Sequence, residues 1–153
     1  MDRFLSTATN RIDAKGRVSV PAHFRAVVAK RGYSELYAVK SLEAPAFEVG
    51  GPDLLDGIEK RIALEDPLGQ AADDLALHFY GDGTFLKLDQ DGRITVTDAI
   101  RAYTGIAAEV AFVGKGYCFQ IWEPEALRAH TEAALQRLRD TRRRLADFAK
   151  AQP

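Results

Sequence analysis

Residues 13–25 read Asp-Ala-Lys-Gly-Arg-Val-Ser-Val-Pro-Ala-His-Phe-Arg, and residues 89–101 read Asp-Gln-Asp-Gly-Arg-Ile-Thr-Val-Thr-Asp-Ala-Ile-Arg. The stretches share Asp13/Asp89, Gly16/Gly92, Arg17/Arg93, Val20/Val96 and Arg25/Arg101, with conservative exchanges at Val18/Ile94, Ser19/Thr95 and Phe24/Ile100. The correspondence runs on through Gly32/Gly105, Phe47/Phe119, Val49/Ile121 and Pro52/Pro124, so one structural unit occurs twice in tandem.

Each copy has the same local grammar. Asp-x-x-Gly-Arg predicts a tight turn, because Asp can accept backbone amides ahead of it and Gly supplies a positive φ. A β-branched strand follows, Val18–Val20 or Ile94–Val96. A short helix comes next: Ala22–Lys30 opened by Pro21, or Ala99–Thr104 capped by Thr97 or Asp98, stopped by Gly32 or Gly105. Two more strands complete each unit, Glu35–Lys40 with Ala46–Val49, and Glu109–Val113 with Tyr117–Trp122 across a Gly114-Lys-Gly116 turn. Leu5–Ile12 and Thr84–Leu88 supply one strand ahead of each turn. Neither copy can cover its own sheet edges, so the expected fold is mainly β with helices (α+β), the two copies closing one β-barrel with pseudo-twofold symmetry.

The organisation that follows is a first repeat at 1–52, a helical linker at 53–80, a second repeat at 81–125 and a C-terminal helix and tail at 126–153. In the linker, Leu54, Leu55, Ile58 and Ile62 predict a helix over Asp53–Leu64, and Gly69–Tyr80 predicts a second. Beyond Pro124, Leu127, Leu135, Leu138, Leu145 and Phe148 mark an amphipathic helix to about Ala149. Its stripe is expected to dock on its own barrel or on a neighbouring subunit rather than form a coiled coil.

Composition narrows the function classes. With 153 residues, 46% hydrophobic and 28% charged, the chain is long and apolar enough for a real core. No apolar run reaches the roughly 18 residues of a membrane span, and Met-Asp-Arg opens the chain without a hydrophobic segment behind it, so a cytoplasmic protein is expected, with neither signal peptide nor membrane helix. A single cysteine, Cys118, excludes an intramolecular disulfide framework, and His23, His78 and His130 are too scattered for a zinc site. The net charge of −1 hides a segregation. Residues 1–31 carry seven Lys/Arg against two Asp, residues 43–91 three basic against twelve acidic side chains, and residues 128–150 seven basic against three acidic. Such blocks can be solvated faces, and they also permit an anionic partner.

Several motifs lead nowhere. Lys87–Asp98 overlays a calcium loop at Asp89, Asp91, Gly92 and Asp98, but Lys87 stands where the first carboxylate ligand belongs. Gly81-Asp-Gly83 lacks the Gly-Lys-Ser/Thr ending of a phosphate loop and reads as a hairpin turn. No nucleophile elbow, no His–acid pair and no activated Cys118 support an enzyme, so neither a cofactor nor a metal is expected. Tyr117, Phe119 and Trp122 read as packing residues.

The duplicated Asp-x-x-Gly-Arg remains. Structurally it is a rigid turn in which Asp13 or Asp89 pairs with Arg17 or Arg93. That rigidity is also useful chemically: a guanidinium can contact guanine O6 and N7 in bidentate fashion, and a carboxylate partner limits its rotamers before the base arrives. Two such arginines on one face of a β-ribbon suit the major groove.

At these residues the chain resembles the MraZ family, duplicated members of the SpoVT-AbrB (AbrB/MazE-like) group of bacterial regulators. The likeness covers roughly residues 1–125, including both Asp-x-x-Gly-Arg blocks, the stretch 17–25 and Phe119-Gln-Ile-Trp-Glu123. It implies a swapped-hairpin (double-split) β-barrel and a ring-like homo-oligomer. It further implies a cytoplasmic, nucleoid-associated regulator, usually a repressor, that binds short direct repeats in double-stranded DNA upstream of the division and cell-wall gene cluster. Carried over by position, Arg17 and Arg93 become base readers, Asp13 and Asp89 their orienting partners, and Lys15 and Arg11 phosphate contacts. The second copy has Asp91 where the first has Lys15, so the first loop is expected to dominate phosphate attraction. The chain departs from the family pattern at Thr97, opposite Pro21, which bears on how the second helix starts, and at Gly50-Gly51, opposite Trp122-Glu123, which predicts a flexible strand end. The alternative function is an antitoxin-like or protein-interaction module whose tail wraps a partner. A small hydrolase is a third class, with no nucleophile to nominate.

Overall fold

The two Asp-x-x-Gly-Arg turns each deliver the chain into a strand of only three residues, and the rest of the fold is built around that pair. The structure is a computed structural model and describes residues 1–152. The first unit comprises β1 (Thr7–Arg11), β2 (Arg17–Ser19), α1 (Ala22–Arg31), β3 (Leu36–Lys40) and β4 (Phe47–Gly50). After α2 (Pro52–Ala63) and α3 (Gln70–Ala76), the second unit repeats it as β5 (Thr84–Leu86), β6 (Arg93–Thr95), α4 (Asp98–Thr104), β7 (Glu109–Gly114) and β8 (Phe119–Trp122). α5 (Pro124–Ala151) follows.

Six strands form one antiparallel sheet in the order β1-β7-β8-β4-β3-β5, and β2 pairs with β6 in a separate ribbon. Interchanging the two units maps this order onto itself. The first strand of each copy lies on the third strand of the other, β1 on β7 and β5 on β3, while β4 and β8 pair at the centre. The mixed α+β class is therefore as the sequence predicts, but more of the chain is helical than strand, against the mainly β expectation, and no closed barrel is found among the described residues: the sheet keeps two edges, β1 and β5. The local cause is short ribbon strands. Pro21, which has no amide hydrogen, and the helix that starts after Thr97 end β2 and β6 before they can bridge the edges.

Both copies feed one core. Phe4, Phe24, Phe112 and Phe119 meet with ring centroids 5.1–6.4 Å apart, and Val18, Val20, Ile94 and Val96 of the ribbon segments pack into the same cluster. Alternation then decides what the ribbon shows outward: Val18 and Ile94 are buried, so Arg17, Ser19, Arg93 and Thr95 face away from the core. Thr97 starts α4 by accepting the Ile100 amide at 3.2 Å, where Pro21 presets the backbone for α1, so the departure at Thr97 leaves the helix start intact.

Three expectations are corrected. Gly50 and Gly51 form no flexible strand end; both are buried, and a Cβ would lie 2.9 Å from Leu54 Cβ at Gly50 and 2.7 Å from the Tyr33 ring at Gly51. Close packing requires the glycines there. The helix expected over Gly69–Tyr80 is α3 followed by a π-turn over Leu77–Gly81. Gly81-Asp-Gly83 is no hairpin, since it joins that turn to β5. Within the protomer, α5 docks on the sheet at its start, as one of the two expected arrangements has it. Leu127 packs with Ala46, Ala111 and Trp122, and His130 lies against Trp122 at 4.7 Å between centroids, while Leu135, Leu138, Leu145 and Phe148 remain exposed. A 28-residue helix is about 42 Å long at roughly 1.5 Å per residue, twice the length of the strands beneath it.

Candidate nucleic-acid interface

The two turns are built alike. Asp13 Oδ1 accepts the amides of Lys15 and Arg17, both at 2.9 Å, while its backbone amide donates to the Arg17 carbonyl and its carbonyl accepts the Gly16 amide. Asp89 Oδ1 accepts the amides of Asp91 and Arg93, again both at 2.9 Å. Gly16 and Gly92 have φ of 78° and 75°, a conformation other residues adopt only at a cost. The second carboxylate oxygen of each Asp then receives the side chain of its arginine: Arg17 Nε donates to Asp13 Oδ2 at 3.1 Å, and Arg93 Nε to Asp89 Oδ2 at 2.9 Å.

These bonds set the electrostatics. The Arg17 amide, foremost, holds the Asp13 carboxyl below the usual carboxylate range, and the Arg93 amide does the same for Asp89. The Arg93 guanidinium is pushed further up, chiefly by its bond to Asp89. Both aspartates stay ionised at neutral pH and act as fixed anchors. Arg17 and Arg93 are 30% and 27% exposed, so each is held at its Nε yet reachable from outside.

Antiparallel pairing sets Arg17 opposite Thr95 and Ser19 opposite Arg93, which puts the two arginines diagonally on one outward face. The structure brings Asp13, Arg17, Asp89 and Arg93 together at the ribbon. Lys15 stands exposed on the first turn, and Arg11 is exposed at the end of β1. Neither makes an ion pair among the described residues.

The copies differ in what surrounds the guanidinium. Arg17 uses only Nε, leaving its terminal nitrogens without a side-chain partner among the described residues. Arg93 also donates to Asp91 Oδ2 at 3.0 Å and lies 3.7 Å from Asp13 Oδ2. Arg25 lies over the second turn: its Cδ is 2.3 Å from where a Cβ on Gly92 would stand, and its Nε donates to the Val20 carbonyl at 3.0 Å. The matching Arg101 turns away to the Ala107 carbonyl, and Gly16 has open space above it. Sequence reasoning gave no role to Arg25, although its identity with Arg101 marked it. Ser19 and Thr95 were also passed over, although alternation from Arg17 and Arg93 puts them on the same face.

The other singled-out residues do not join this site. Cys118 is buried, its thiol pushed up to about 12 by burial, and His78 meets the Lys40 carbonyl at 2.8 Å. Phe119 and Trp122 are core residues, and Tyr117 is partly exposed. No grouping of three metal-ligating side chains occurs among the described residues. Nor is any helix among them long and apolar enough to cross a membrane.

Residues 79–148 match the family model described as "MraZ protein, putative antitoxin-like". The chain is 54% identical over 129 residues to a protein of Rhizobium johnstonii, covering 84% of this chain and 89% of the relative. It is 46% identical to one of Beijerinckia indica subsp. indica, covering 95% and 88%, and 45% identical to one of Xanthobacter autotrophicus, covering 98% and 96%. All three relatives are named transcriptional regulator MraZ, so the class of protein the comparison defines is the transcriptional regulators. Within that class, the chain belongs to the MraZ family.

Proposed function

We propose that the chain regulates transcription by binding double-stranded DNA, with the outward face of the β2–β6 ribbon as its reading surface. The observation that carries this is the pair of partly exposed guanidiniums on one ribbon face, each anchored at Nε by a fixed carboxylate. Arg17 presents free terminal nitrogens to a guanine edge, Arg93 serves as the second reader once Asp91 yields, and Lys15 and Arg11 attract phosphates. One arginine–guanine pair supplies about 1–3 kcal/mol of discrimination, so tight binding needs several protomers on repeated sites, where linkage adds on the order of 10²–10⁴ in affinity. A ring-like homo-oligomer on short direct repeats satisfies that need. Repression of the division and cell-wall gene cluster, from a cytoplasmic and nucleoid location, is the biological setting the family resemblance favours. The exchanged strand pairings support the swapped-hairpin part of the family plan, without barrel closure.

The test is a binding titration of wild type, Arg17→Ala and Arg93→Ala on DNA upstream of the chain's own gene, at two salt concentrations. A base reader loses discrimination between the operator and scrambled DNA, whereas a phosphate contact mainly flattens the salt dependence. Wild-type discrimination in both variants would remove the proposed site. The description of the matching family model as antitoxin-like favours a second reading, a neutraliser of a protein partner, for which a toxin-sized gene beside this one would be the supporting observation.

A further inference from the structure

Two exposed surfaces of this chain are complementary, and the fold keeps them apart within one protomer. The first is the distal part of α5. Thr131, Ala134, Leu138, Thr141, Leu145 and Phe148 recur at alternating spacings of three and four, a continuous seam, and its large members are 62–66% exposed. Arg137, Arg142 and Arg144 flank the seam. Two copies of this helix laid side by side, parallel or antiparallel, would bring arginine against arginine, so the seam is ill suited to pairing with itself.

The second surface is the linker from Leu64 to Gly83. Leu64, Leu68 and Leu77 are 87%, 95% and 69% exposed. Around them stand Glu65, Asp66, Asp73 and Asp74, with no lysine or arginine in the segment, and Asp82, which pairs with Lys40 of β3 at 3.3 Å. Leu77 sits in a shallow hollow lined also by Asp74, His78, Gly81 and Asp82. A leucine seam with basic flanks and a leucine patch with acidic flanks suit one another both in burial and in charge.

Their placement decides how they can meet. α5 packs on β7, next to the β1 edge of the sheet, whereas the π-turn after α3 packs on β3, next to the β5 edge. Both sets of leucines are exposed, so they do not cover each other within the protomer. Contact between copies is then head-to-tail: the helix of one protomer on the linker of the next, with that protomer's own helix free for a third. Such heterologous contacts propagate from copy to copy, and close into a ring when the rotation between neighbours permits.

We propose that the distal seam of α5 docks on the acidic leucine-bearing linker of a second copy of this chain, as the repeating interface of the homo-oligomer. This rests on the reading of the chain as an assembling regulator and supplies the interface that reading lacks.

The test is charge reversal, with mass followed by light scattering and sedimentation. Arg137→Glu/Arg142→Glu/Arg144→Glu alters the helix, and Asp66→Arg/Asp73→Arg/Asp74→Arg alters the linker; all six side chains are surface groups, and circular dichroism checks that each variant folds. Each variant alone should fall to a smaller species, and mixing the two should restore the wild-type mass, because the acidic helix of one meets the basic linker of the other. If the linker variant assembles as wild type does, the helix meets something other than the linker and the proposal fails. It fails equally if the helix variant keeps its mass and loses only salt-dependent DNA affinity, since α5 would then be a phosphate contact. Arg17→Ala should keep the full mass, which separates failure of this interface from failure of the DNA-reading assignment.

Discussion

The two Asp-x-x-Gly-Arg turns have nearly the same hydrogen bonds and quite different surroundings. In the first, Arg17 answers to one carboxylate, Lys15 stands beside it, and Gly16 has open space above. In the second, Arg93 is drawn toward Asp89, Asp91 and Asp13, and Arg25 covers Gly92. A guanidinium shared among three carboxylates must break more bonds to meet a base than one held at a single nitrogen. Duplicated backbone geometry thus comes with unequal restraint: Arg17 is held by one carboxylate, while Arg93, about as exposed, is held by Asp89 and Asp91 and lies near Asp13.

The largest expected effect tests that inequality directly. Arg17→Ala should reduce discrimination by about 1–3 kcal/mol per site, and Arg93→Ala by less, in a competition assay between operator and scrambled DNA. The reverse order would break the comparison. Next in size is the effect of covering the glycines. Gly16→Ala and Gly92→Ala both force a side chain into the left-handed region, at about 1–2 kcal/mol, but only Gly92→Ala must also displace Arg25. Urea unfolding should therefore show Gly92→Ala as the less stable variant.

Smaller, and informative about charge, is Asp91→Lys. It removes one of the carboxylates holding Arg93 and gives the second turn the lysine that the first has. The log–log salt dependence of DNA binding should steepen by about 1, and a double variant with Arg93→Ala should keep that steepening while losing any gain in discrimination. The smallest effect is on acid stability, where the turns should behave alike. Asp13 and Asp89 both have folded-state values below the ordinary carboxylate value of about 3.9, so the stability they contribute is present above that value and is lost as pH falls through the folded one. Asp13→Asn and Asp89→Asn should each flatten the loss of stability below about pH 4, seen as unfolding midpoints measured from pH 5 to pH 2.

How much of this was legible in the sequence depended on whether the deciding interaction was local. The turns were, because Asp, Gly and Arg act within five residues of one another, and the chemistry of each residue type names its bond. The strand and helix positions were also legible for the same reason. Barrel closure was not, because it depends on how far β2 and β6 extend beside partners about seventy residues away. The packing of Gly50 and Gly51 was hidden too: two glycines look flexible until Leu54 and Tyr33 fill the space beside them. The inequality of the arginines was half visible, through Lys15 against Asp91. Arg25 over Gly92 joins the first copy to the second, and no local pattern encodes it.

The exchanged strands carry one more consequence. With β1 lying on β7 and β5 on β3, the molecule has the plan of two identical chains clasped together, yet it is a single polypeptide. Two identical chains must offer the same side chains twice and so favour palindromes, sites that read the same on both strands. Fusion lifts that constraint, since each half can mutate by itself. Under the DNA-reading proposal, a protomer whose halves have diverged as these have would recognise a site that has a direction, and neighbouring copies would lie along the duplex all pointing the same way.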